Sequence, residues 1–334
     1  MKYLQKTMHW LLAIALGFCI VNLICFAYER PVGWFDTPNG PSPAGWNPGT
    51  VLIHGTEGYG ITKVDENGYL NPAGELQENY ILCMGSSHTQ GKEVPLGQKY
   101  TALMNSHFSQ EEGKLAVYNI ACDGNYLPSL IKHFSAAMEA FPGASVVTIE
   151  IFNTYFSSEE IEAAMQQVPY IEENSVRNQT QSMGITQKAK TLIKEYFPLL
   201  HLMKRKLETL NASEGAGVSE SSPDTRQADA LRTALKMMRQ AYNGEIIFVY
   251  HPSVVISANA EASCSYDAFF DSFQGICEEI GICVVDMGPA FLENYQQEKT
   301  LPYGFMNTVL GNGHLNVTGH HLIAQALIKK IQGN

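Results

Sequence analysis

The chain has 334 residues, of which 45% are hydrophobic and 16% are charged, enough for one large domain or two small ones. Its formal net charge of −11 at pH 7 argues against a nucleic-acid partner, whose phosphate backbone would repel it, and leaves neutral or sugar-like substrates open.

An uncharged, apolar segment lies near the start of the chain, at residues 7–28. As a helix it would be about 33 Å long, which matches a hydrocarbon core about 30 Å thick. Lysines precede it and Glu29 follows it, so the positive-inside rule places the rest of the chain outside the cytoplasm. We therefore predict a signal anchor over residues 1–28 in a single-pass protein of the cell membrane. The alternative is a cleaved signal peptide and a secreted protein, because Cys25-Phe26-Ala27 is a passable cleavage site.

The next region, residues 29–76, is predicted to be a linker with a short β lead-in, because its first part is rich in Pro, Gly, Asn and Trp. Beyond it, short apolar runs alternate with amphipathic stretches, as expected for parallel strands covered on both faces. This pattern predicts an α/β domain over residues 77–334, with three layers (α/β/α) and a five-stranded, mainly parallel sheet. The predicted strands are 80–84, 116–120, 145–151, 245–250 and 282–286, and the predicted helices lie near 98–108, 126–140, 227–242, 266–280 and 317–332.

A long interval separates the third and fourth predicted strands. It holds about ninety residues, more than a crossover connection needs. A Lys-rich helical segment near 186–210 is followed by a Ser/Gly/Glu-rich stretch at 211–225, which is typical of a flexible connection. We predict an insertion over about 155–226, which either lies over or beside the active-site face or is a solvated appendage.

The seven cysteines show no CxxC spacing, so the sequence supports neither a metal site nor any other cofactor. Cys83, Cys122 and Cys283 lie in apolar runs, where a buried free thiol is expected. The sequence does not decide whether Cys264 and Cys277 form a disulfide.

Four polar patches occupy positions where an α/β protein carries its chemistry, because the carboxyl ends of parallel strands meet at one edge of the sheet. Gly85-Ser86-Ser87-His88 follows the first strand, Asp123-Gly124-Asn125 the second and Asn153 the third, while Gly313-His314 precedes the last helix. A serine hydroxyl becomes an effective nucleophile only when a neighbouring imidazole takes its proton. Ser87 and His314 are therefore candidate catalytic residues.

In order and spacing, these patches resemble the blocks of the SGNH (GDSL-like) hydrolase superfamily over roughly residues 77–334. The resemblance implies an SGNH or flavodoxin-like sheet, with Ser87 as the nucleophile and His314 as its base. It also implies an oxyanion hole made by the backbone amides of Ser87 and Gly124 and the side-chain amide of Asn153. Such donors must be preorganised, since removal of one costs about 10²–10³ in turnover.

The sequence departs from the family pattern where the acid that orients the base is expected, because Gly311 stands three residues before His314. We therefore predict a Ser–His dyad whose imidazole is oriented by a backbone carbonyl, by Asn312 or by Asp286. Asp286 also ends a strand, so capping of the next helix is the alternative for this residue.

Two other histidines adjoin the predicted site. His88, next to Ser87, either lines the pocket or is an exposed loop residue. His251 follows the fourth strand and either contacts substrate, stands in as the base or belongs to a turn.

The resemblance implies an extracytoplasmic serine esterase or O-acyltransferase that works through an acyl-serine on an acylated, chiefly O-acetylated, carbohydrate or a similar ester. The acceptor, water or a sugar hydroxyl, separates the two reactions, and both use the same residues. The predicted partners are a small ester or acylated glycan and, through the N-terminal helix, the membrane. The alternative is a catalytically weak glycan-binding or assembly component of a cell-surface polymer system.

Overall fold

A computed structural model describes residues 2–30, 46, 48–72, 78–110, 115–166, 185–211 and 225–333. Its helices and strands are, in chain order, α1 (Lys2–Tyr28), β1 (Val51–His54), β2 (Gly60–Lys63), β3 (Tyr80–Met84), α2 (Ser87–Gln90), α3 (Tyr100–Phe108), β4 (Ala116–Asn119), α4 (Leu127–Ala140), β5 (Ala144–Ile151), α5 (Ser158–Ala164), α6 (Ile185–Tyr196), α7 (Pro198–Asn211), α8 (Thr225–Ala241), β6 (Glu245–Tyr250), β7 (Ser253–Ile256), β8 (Ala262–Ser265), α9 (Phe270–Ile280), β9 (Cys283–Asp286), α10 (Gly288–Glu298) and α11 (Val317–Ile331).

The centre of the fold is a five-stranded sheet in the order β4-β3-β5-β6-β9, in which every neighbouring pair of strands is parallel. The predicted α/β class with three layers is confirmed. β3 and β6 have the predicted bounds, and the other three strands differ from the prediction by one residue at one end. The apolar runs located the strands well because each strand is buried on both faces.

Successive residues of the interior strand β3 enter different hydrophobic cores. Leu82 packs with Phe134 and Phe273 in the core beneath α4, α8 and α9. Ile81 packs with Tyr100 in the opposite core, beneath α3, α10 and α11. The two cores on either side of the sheet give the domain its three layers.

The helix α1 leaves nearly all of its apolar surface exposed, since only 6% of its most apolar stretch is buried. It is long and apolar enough to span a membrane. Its C-terminal end holds the antiparallel hairpin formed by β1 and β2. The Gly55 amide donates to the Glu29 carboxylate over 2.9 Å, and the Tyr59 hydroxyl donates to the Ala27 carbonyl over 2.8 Å. The start of the hairpin loop is thereby attached to the end of α1.

The predicted helical segment near 186–210 contains two helices, α6 and α7, which are interrupted at Phe197. α7 packs against α1, so this part of the predicted insertion lies beside the N-terminal helix. Residues 212–224 of the predicted flexible stretch lie outside the described residues.

Some short elements were not predicted, among them α5 and the antiparallel hairpin of β7 and β8. Both strands are only four residues long and mostly exposed, so neither gives the longer apolar run that marks a buried strand in the sequence. All seven cysteines fall within the described residues and all are free, so Cys264 and Cys277 form no disulfide.

Candidate active site

A sharp strand-to-helix turn presents Ser87 at the carboxyl end of β3. Ser86 caps α2, because its hydroxyl accepts a hydrogen bond from the His88 amide. Gly85 has no room for a side chain, since a Cβ atom there would lie 2.3 Å from the Thr89 hydroxyl oxygen. Gly91 ends the short helix with a φ of 61°, a left-handed conformation that favours glycine. The turn places Ser87 as the first residue of α2, at the edge of the sheet.

Three side chains form a continuous hydrogen-bonded chain at this edge. The Ser87 hydroxyl oxygen lies 2.9 Å from His314 Nε2. On the other side of the imidazole, His314 Nδ1 lies 2.7 Å from Glu57 Oε2. The second carboxylate oxygen of Glu57 accepts the backbone N–H of His314, also over 2.7 Å. This is the arrangement of a nucleophile, a base and an orienting acid.

The loop between β1 and β2 carries Glu57 to the imidazole. Asn307 holds this loop, because its side-chain amide donates to the carbonyls of Gly55 and Gly58 and its oxygen accepts the Gly58 amide. On the facing loop, Gly313 has a φ of 91°, and a Cβ atom there would lie 2.2 Å from Glu57 Oε1. The backbones of the two loops therefore lie close together, and this brings the Glu57 carboxylate to the His314 imidazole.

The prediction that a backbone carbonyl, Asn312 or Asp286 orients the base was wrong, because Glu57 takes that place. Asp286 accepts hydrogen bonds from the Tyr266 hydroxyl over 2.9 Å and from the Gly288 amide over 2.8 Å, so it caps α10. The oxygen of the Asn312 side chain accepts the amide of the next residue. Nothing in the sequence singled out Glu57, because a carboxylate in a Gly-rich turn usually faces solvent.

The electrostatics of the site stabilise a protonated imidazole. Burial lowers the pKa of His314, but the hydrogen bond to Glu57 and the charges of Glu93 and Glu57 outweigh burial, so the pKa lies above its ordinary value. Burial raises the pKa of Glu57, and its hydrogen bonds and charge interaction with His314 reverse this, so the Glu57 pKa is lowered. Glu93 lies 3.8 Å from His314 Nδ1. A base that takes a proton from serine needs this support for its charged form.

The predicted oxyanion-hole residues follow three adjacent strands. Ser87 follows β3, Gly124 follows β4 and Asn153 follows β5, and β3 lies between the other two. The Ser87 amide is the first of α2, where backbone donors have no partner within the helix. The Asn153 side chain closes a turn with Tyr155, to whose carbonyl it donates over 3.4 Å, and a second N–H of the same amide stays available.

The loop that bears Gly124 is held by an ion pair with the segment after α2. Lys92 Nζ lies 2.6 Å from the Asp123 carboxylate. Gly124 adopts a φ of 81°, and a Cβ atom there would meet nothing within 4 Å, so its α-carbon faces open space. A substrate carbonyl can therefore approach the backbone here.

A second, buried network lies beneath Ser87. The fully buried Glu150 accepts hydrogen bonds from the Ser86 amide, the Ser86 and Thr89 hydroxyls and His251 Nε2, the last over 2.7 Å. Burial raises the pKa of Glu150, but the hydrogen bond and the charge interaction with His251 lower it to about 2. Glu150 therefore stays ionised and holds the turn that presents Ser87. Glu150 could have been found in the sequence, because a single carboxylate within a run as apolar as β5 is unusual.

The two further histidines are both buried and neither is an exposed loop residue. His251 lies between Glu150 and the Tyr303 hydroxyl, with a distance of 2.9 Å from Nδ1 to the hydroxyl oxygen. His88 accepts the Leu315 amide on Nδ1, which joins the turn that presents Ser87 to the loop that bears His314. Burial keeps the pKa of His88 well below its ordinary value, so this ring is neutral. The geometry gives both residues a place in the framework of the site.

Aromatic side chains border the site on one side. The Phe152 ring lies 5.1 Å from the His88 ring and 5.6 Å from the Tyr126 ring, between their centroids. Tyr126 is 47% exposed and precedes α4, close in sequence to Gly124. An exposed tyrosine beside a candidate oxyanion hole offers an apolar face and a polar tip to a ligand.

No protein-family model matches the chain, and no curated protein matches its sequence. Among solved structures, it is similar to a catalytic mutant of an acetylxylan esterase from Geobacillus stearothermophilus, with 15% identity, a TM-score of 0.42, and coverage of 76% of this chain and 94% of that one. A psychrotrophic esterase from Pseudoalteromonas sp. gives 14% identity, a TM-score of 0.39, and coverage of 77% and 100%. An alpha/beta hydrolase enzyme from the metagenome of Lake Arreo, Spain, gives 15% identity, a TM-score of 0.39, and coverage of 75% and 93%.

The chain's own topology and geometry define its class. It is a three-layer α/β/α protein with a wholly parallel five-stranded sheet, and a hydrogen-bonded Ser–His–Glu chain lies at the carboxyl edge of that sheet.

Proposed function

We propose that the protein is a serine ester hydrolase or O-acyltransferase that works through an acyl-serine intermediate. The observation that carries the proposal is the hydrogen-bonded chain from Glu57 through His314 to Ser87. A hydroxyl, an imidazole and a carboxylate in this order are what activation of a serine requires.

In the first half of the reaction, the Ser87 oxygen attacks the carbonyl carbon of the ester while its proton passes to His314 Nε2. The carbonyl oxygen becomes an oxyanion, which the amides of Ser87, Gly124 and Asn153 stabilise. The intermediate then collapses: the bond to the leaving alkoxide breaks, and His314 returns the proton to that oxygen. Glu57 stays ionised throughout and stabilises the imidazolium.

In the second half, an acceptor hydroxyl attacks the acyl-serine. His314 takes the acceptor's proton, a second oxyanion forms in the same place, and Ser87 leaves with the proton restored. Water as the acceptor gives hydrolysis, and a sugar hydroxyl gives acyl transfer. The residues are the same in both cases, so only the acceptor that gains access to the acyl-serine decides the outcome.

The proposed substrate is an acylated, chiefly O-acetylated, carbohydrate outside the cytoplasm. The packed rings of His88 and Phe152 beside Ser87 favour a short acyl chain. The exposed Tyr126 ring offers a face on which a sugar can stack. The apolar α1 supports a membrane-attached location, with the domain on the extracytoplasmic side because lysines precede the helix.

The alternative function, a catalytically weak glycan-binding component, depended on the absence of an orienting acid. Glu57 occupies the position of that acid, which favours the enzyme.

The test uses the full chain in detergent, with p-nitrophenyl acetate as substrate and a fluorophosphonate as active-site probe. We expect labelling and esterase activity in the parent, and loss of both in Ser87→Ala. Ser106→Ala, which removes an exposed serine in α3, serves as the matched control and keeps both. An unlabelled, inactive parent that still binds acetylated polysaccharide would overturn the enzyme in favour of the binding component. Mass spectrometry of an acetylated oligosaccharide, with and without a free sugar acceptor, then separates acetate release from acetyl transfer.

A further inference from the structure

The helices α6 and α7 each leave one apolar face uncovered. On α6, Ile185, Leu192 and Tyr196 are 89%, 53% and 57% exposed, and their spacing of seven and then four residues puts them on one side of the helix. On α7, Met203 and Leu207 are 54% and 59% exposed and lie one turn apart. Exposed apolar surface of this extent marks an interaction site.

The same two helices are basic in a protein that is acidic. Residues 185–211 contain six Lys and Arg and two Glu, a net charge of +4, whereas the whole chain carries −11. An apolar face combined with an excess of Lys and Arg is typical of helices that lie on a membrane containing anionic lipids.

The helix pair is attached to the apolar helix α1 at the point where α6 ends and α7 begins. Asn22 donates to the Tyr196 carbonyl over 2.9 Å and accepts the Leu199 amide over 3.3 Å. The ring centroids of Phe18 and Phe197 are 6.2 Å apart. Pro198 interrupts the helical hydrogen bonds, and backbone groups freed in an apolar environment need another partner. Asn22, only 7% exposed on a helix that is mostly exposed, supplies it.

We propose that α6 and α7 lie in the interfacial layer of the bilayer that α1 spans, with their apolar faces toward the acyl chains and their basic residues among anionic lipid headgroups. The inference rests on the proposed membrane insertion of α1. Asn22 precedes Tyr28 by six residues, which is about 9 Å along the helix. Amphipathic helices in the interface bury their apolar faces about 5–10 Å deep, so the attachment point lies at the right depth.

The test places a tryptophan on α6 and measures its quenching by brominated lipids. The full chain with Trp10→Phe, which removes the tryptophan of α1, is reconstituted in vesicles of phosphatidylcholine with or without phosphatidylglycerol. Ile193, an exposed residue next to Leu192, lies at the edge of the apolar face of α6, and Ile193→Trp probes it; Val255→Trp, in the hairpin of β7 and β8, is the matched control. Both parent side chains are about half exposed, at 50% and 51%.

We expect strong quenching of Ile193→Trp, stronger still when phosphatidylglycerol is present, and no quenching of Val255→Trp beyond that of the parent. Charge reversal by Lys190→Glu with Lys204→Glu should remove the effect of phosphatidylglycerol. Quenching of Ile193→Trp no greater than that of the control would overturn the proposal, provided that alkaline carbonate leaves the protein in the vesicles. If carbonate extracts the protein, the proposed insertion of α1 is overturned instead. This measurement therefore distinguishes failure of the insertion from failure of the interfacial placement of α6 and α7. Quenching that does not change when phosphatidylglycerol is added would overturn the recognition of anionic lipid.

Discussion

Glu57 and His314 lie 257 positions apart in the chain, and 2.7 Å separates the Glu57 carboxylate from Nδ1 of the imidazole. The carboxylate accepts both the ring N–H and the backbone N–H of the same residue, so it fixes the orientation of the ring and the position of its loop. The His314 imidazole is therefore oriented by the loop of the β1–β2 hairpin, which lies outside the predicted α/β domain of residues 77–334.

The first prediction concerns this carboxylate. Glu57→Gln should lower kcat for p-nitrophenyl acetate by about 10²–10⁴, because the amide no longer stabilises the imidazolium and permits the wrong tautomer. Circular dichroism should show an unchanged fold. Glu66→Gln, which neutralises an exposed carboxylate at the next turn of the chain, should leave kcat unchanged. Full activity in Glu57→Gln would falsify its role as the orienting acid.

The second prediction concerns pH. The pKa of His314 is raised, and the imidazole acts as a base only when it is neutral, so kcat/KM should fall as pH drops through a midpoint above the ordinary histidine value of 6.5. Glu57→Gln removes one of the charges that raise this pKa and weakens the hydrogen bond, because a neutral amide replaces the carboxylate. The midpoint of its residual activity should therefore move to lower pH. A midpoint that is the same in both proteins would show that another group titrates.

The third prediction separates two effects of a side chain at Gly313, which are strain in the backbone and displacement of the Glu57 carboxylate. Gly313→Ala and Gly281→Ala both put a side chain where φ is positive, at 91° and 75°. Each should lower the free energy of unfolding by about 1 kcal/mol or more. Only at Gly313 does the new Cβ atom collide with Glu57, since nothing lies within 4 Å of the one at Gly281. We expect kcat to fall in Gly313→Ala alone, and an equal loss in both variants would contradict the geometry.

The fourth prediction concerns the buried carboxylate beneath the nucleophile. Glu150→Gln should lower the free energy of urea unfolding at pH 7 by roughly 3 kcal/mol, because it leaves the buried His251 without its anionic partner. Glu245→Gln, at the exposed start of the neighbouring strand β6, is the control and should cost little.

The cost of Glu150→Gln should also depend on pH. The pKa of Glu150 falls from an ordinary 4.5 to about 2 on folding, so the ionised form stabilises the fold above about pH 4.5. This stabilisation is lost as pH falls from about 4.5 towards 2. The difference between parent and Glu150→Gln should therefore shrink over that range, and a constant difference would mean that the carboxylate does not titrate as its contacts require.

The strands could be predicted because their signal is local. Each is a short apolar run, and burial on both faces makes such runs continuous. The end of each strand then indicated Ser87 and the other polar patches, since parallel strands align their carboxyl ends. Asp286 was ambiguous for the same reason: a carboxylate at the end of a strand can face the site or cap the next helix, and here it caps α10.

Glu57 could not be predicted because its partner is distant and its surroundings are ordinary. Gly55-Thr56-Glu57-Gly58 has the composition of any solvated turn. What brings it to the site is Asn307, which binds the carbonyls of Gly55 and Gly58 from another loop. Glu150, unlike Glu57, could have been recognised in the sequence, because its apolar neighbours imply burial. A buried carboxylate must have hydrogen-bonding partners.

The attachment of the β1–β2 hairpin to the last turn of α1 has a consequence for the reach of the proposed enzyme. Gly55, which opens the loop that carries Glu57, is hydrogen-bonded to Glu29, directly after that helix. With α1 in a bilayer, the reaction centre stays at a fixed, low height above the lipid surface and cannot sample the surrounding volume as a domain on a long tether would. For the proposed esterase or acyltransferase, the favoured substrates would be acylated carbohydrates held in the same thin layer, which it would meet by collisions in two dimensions.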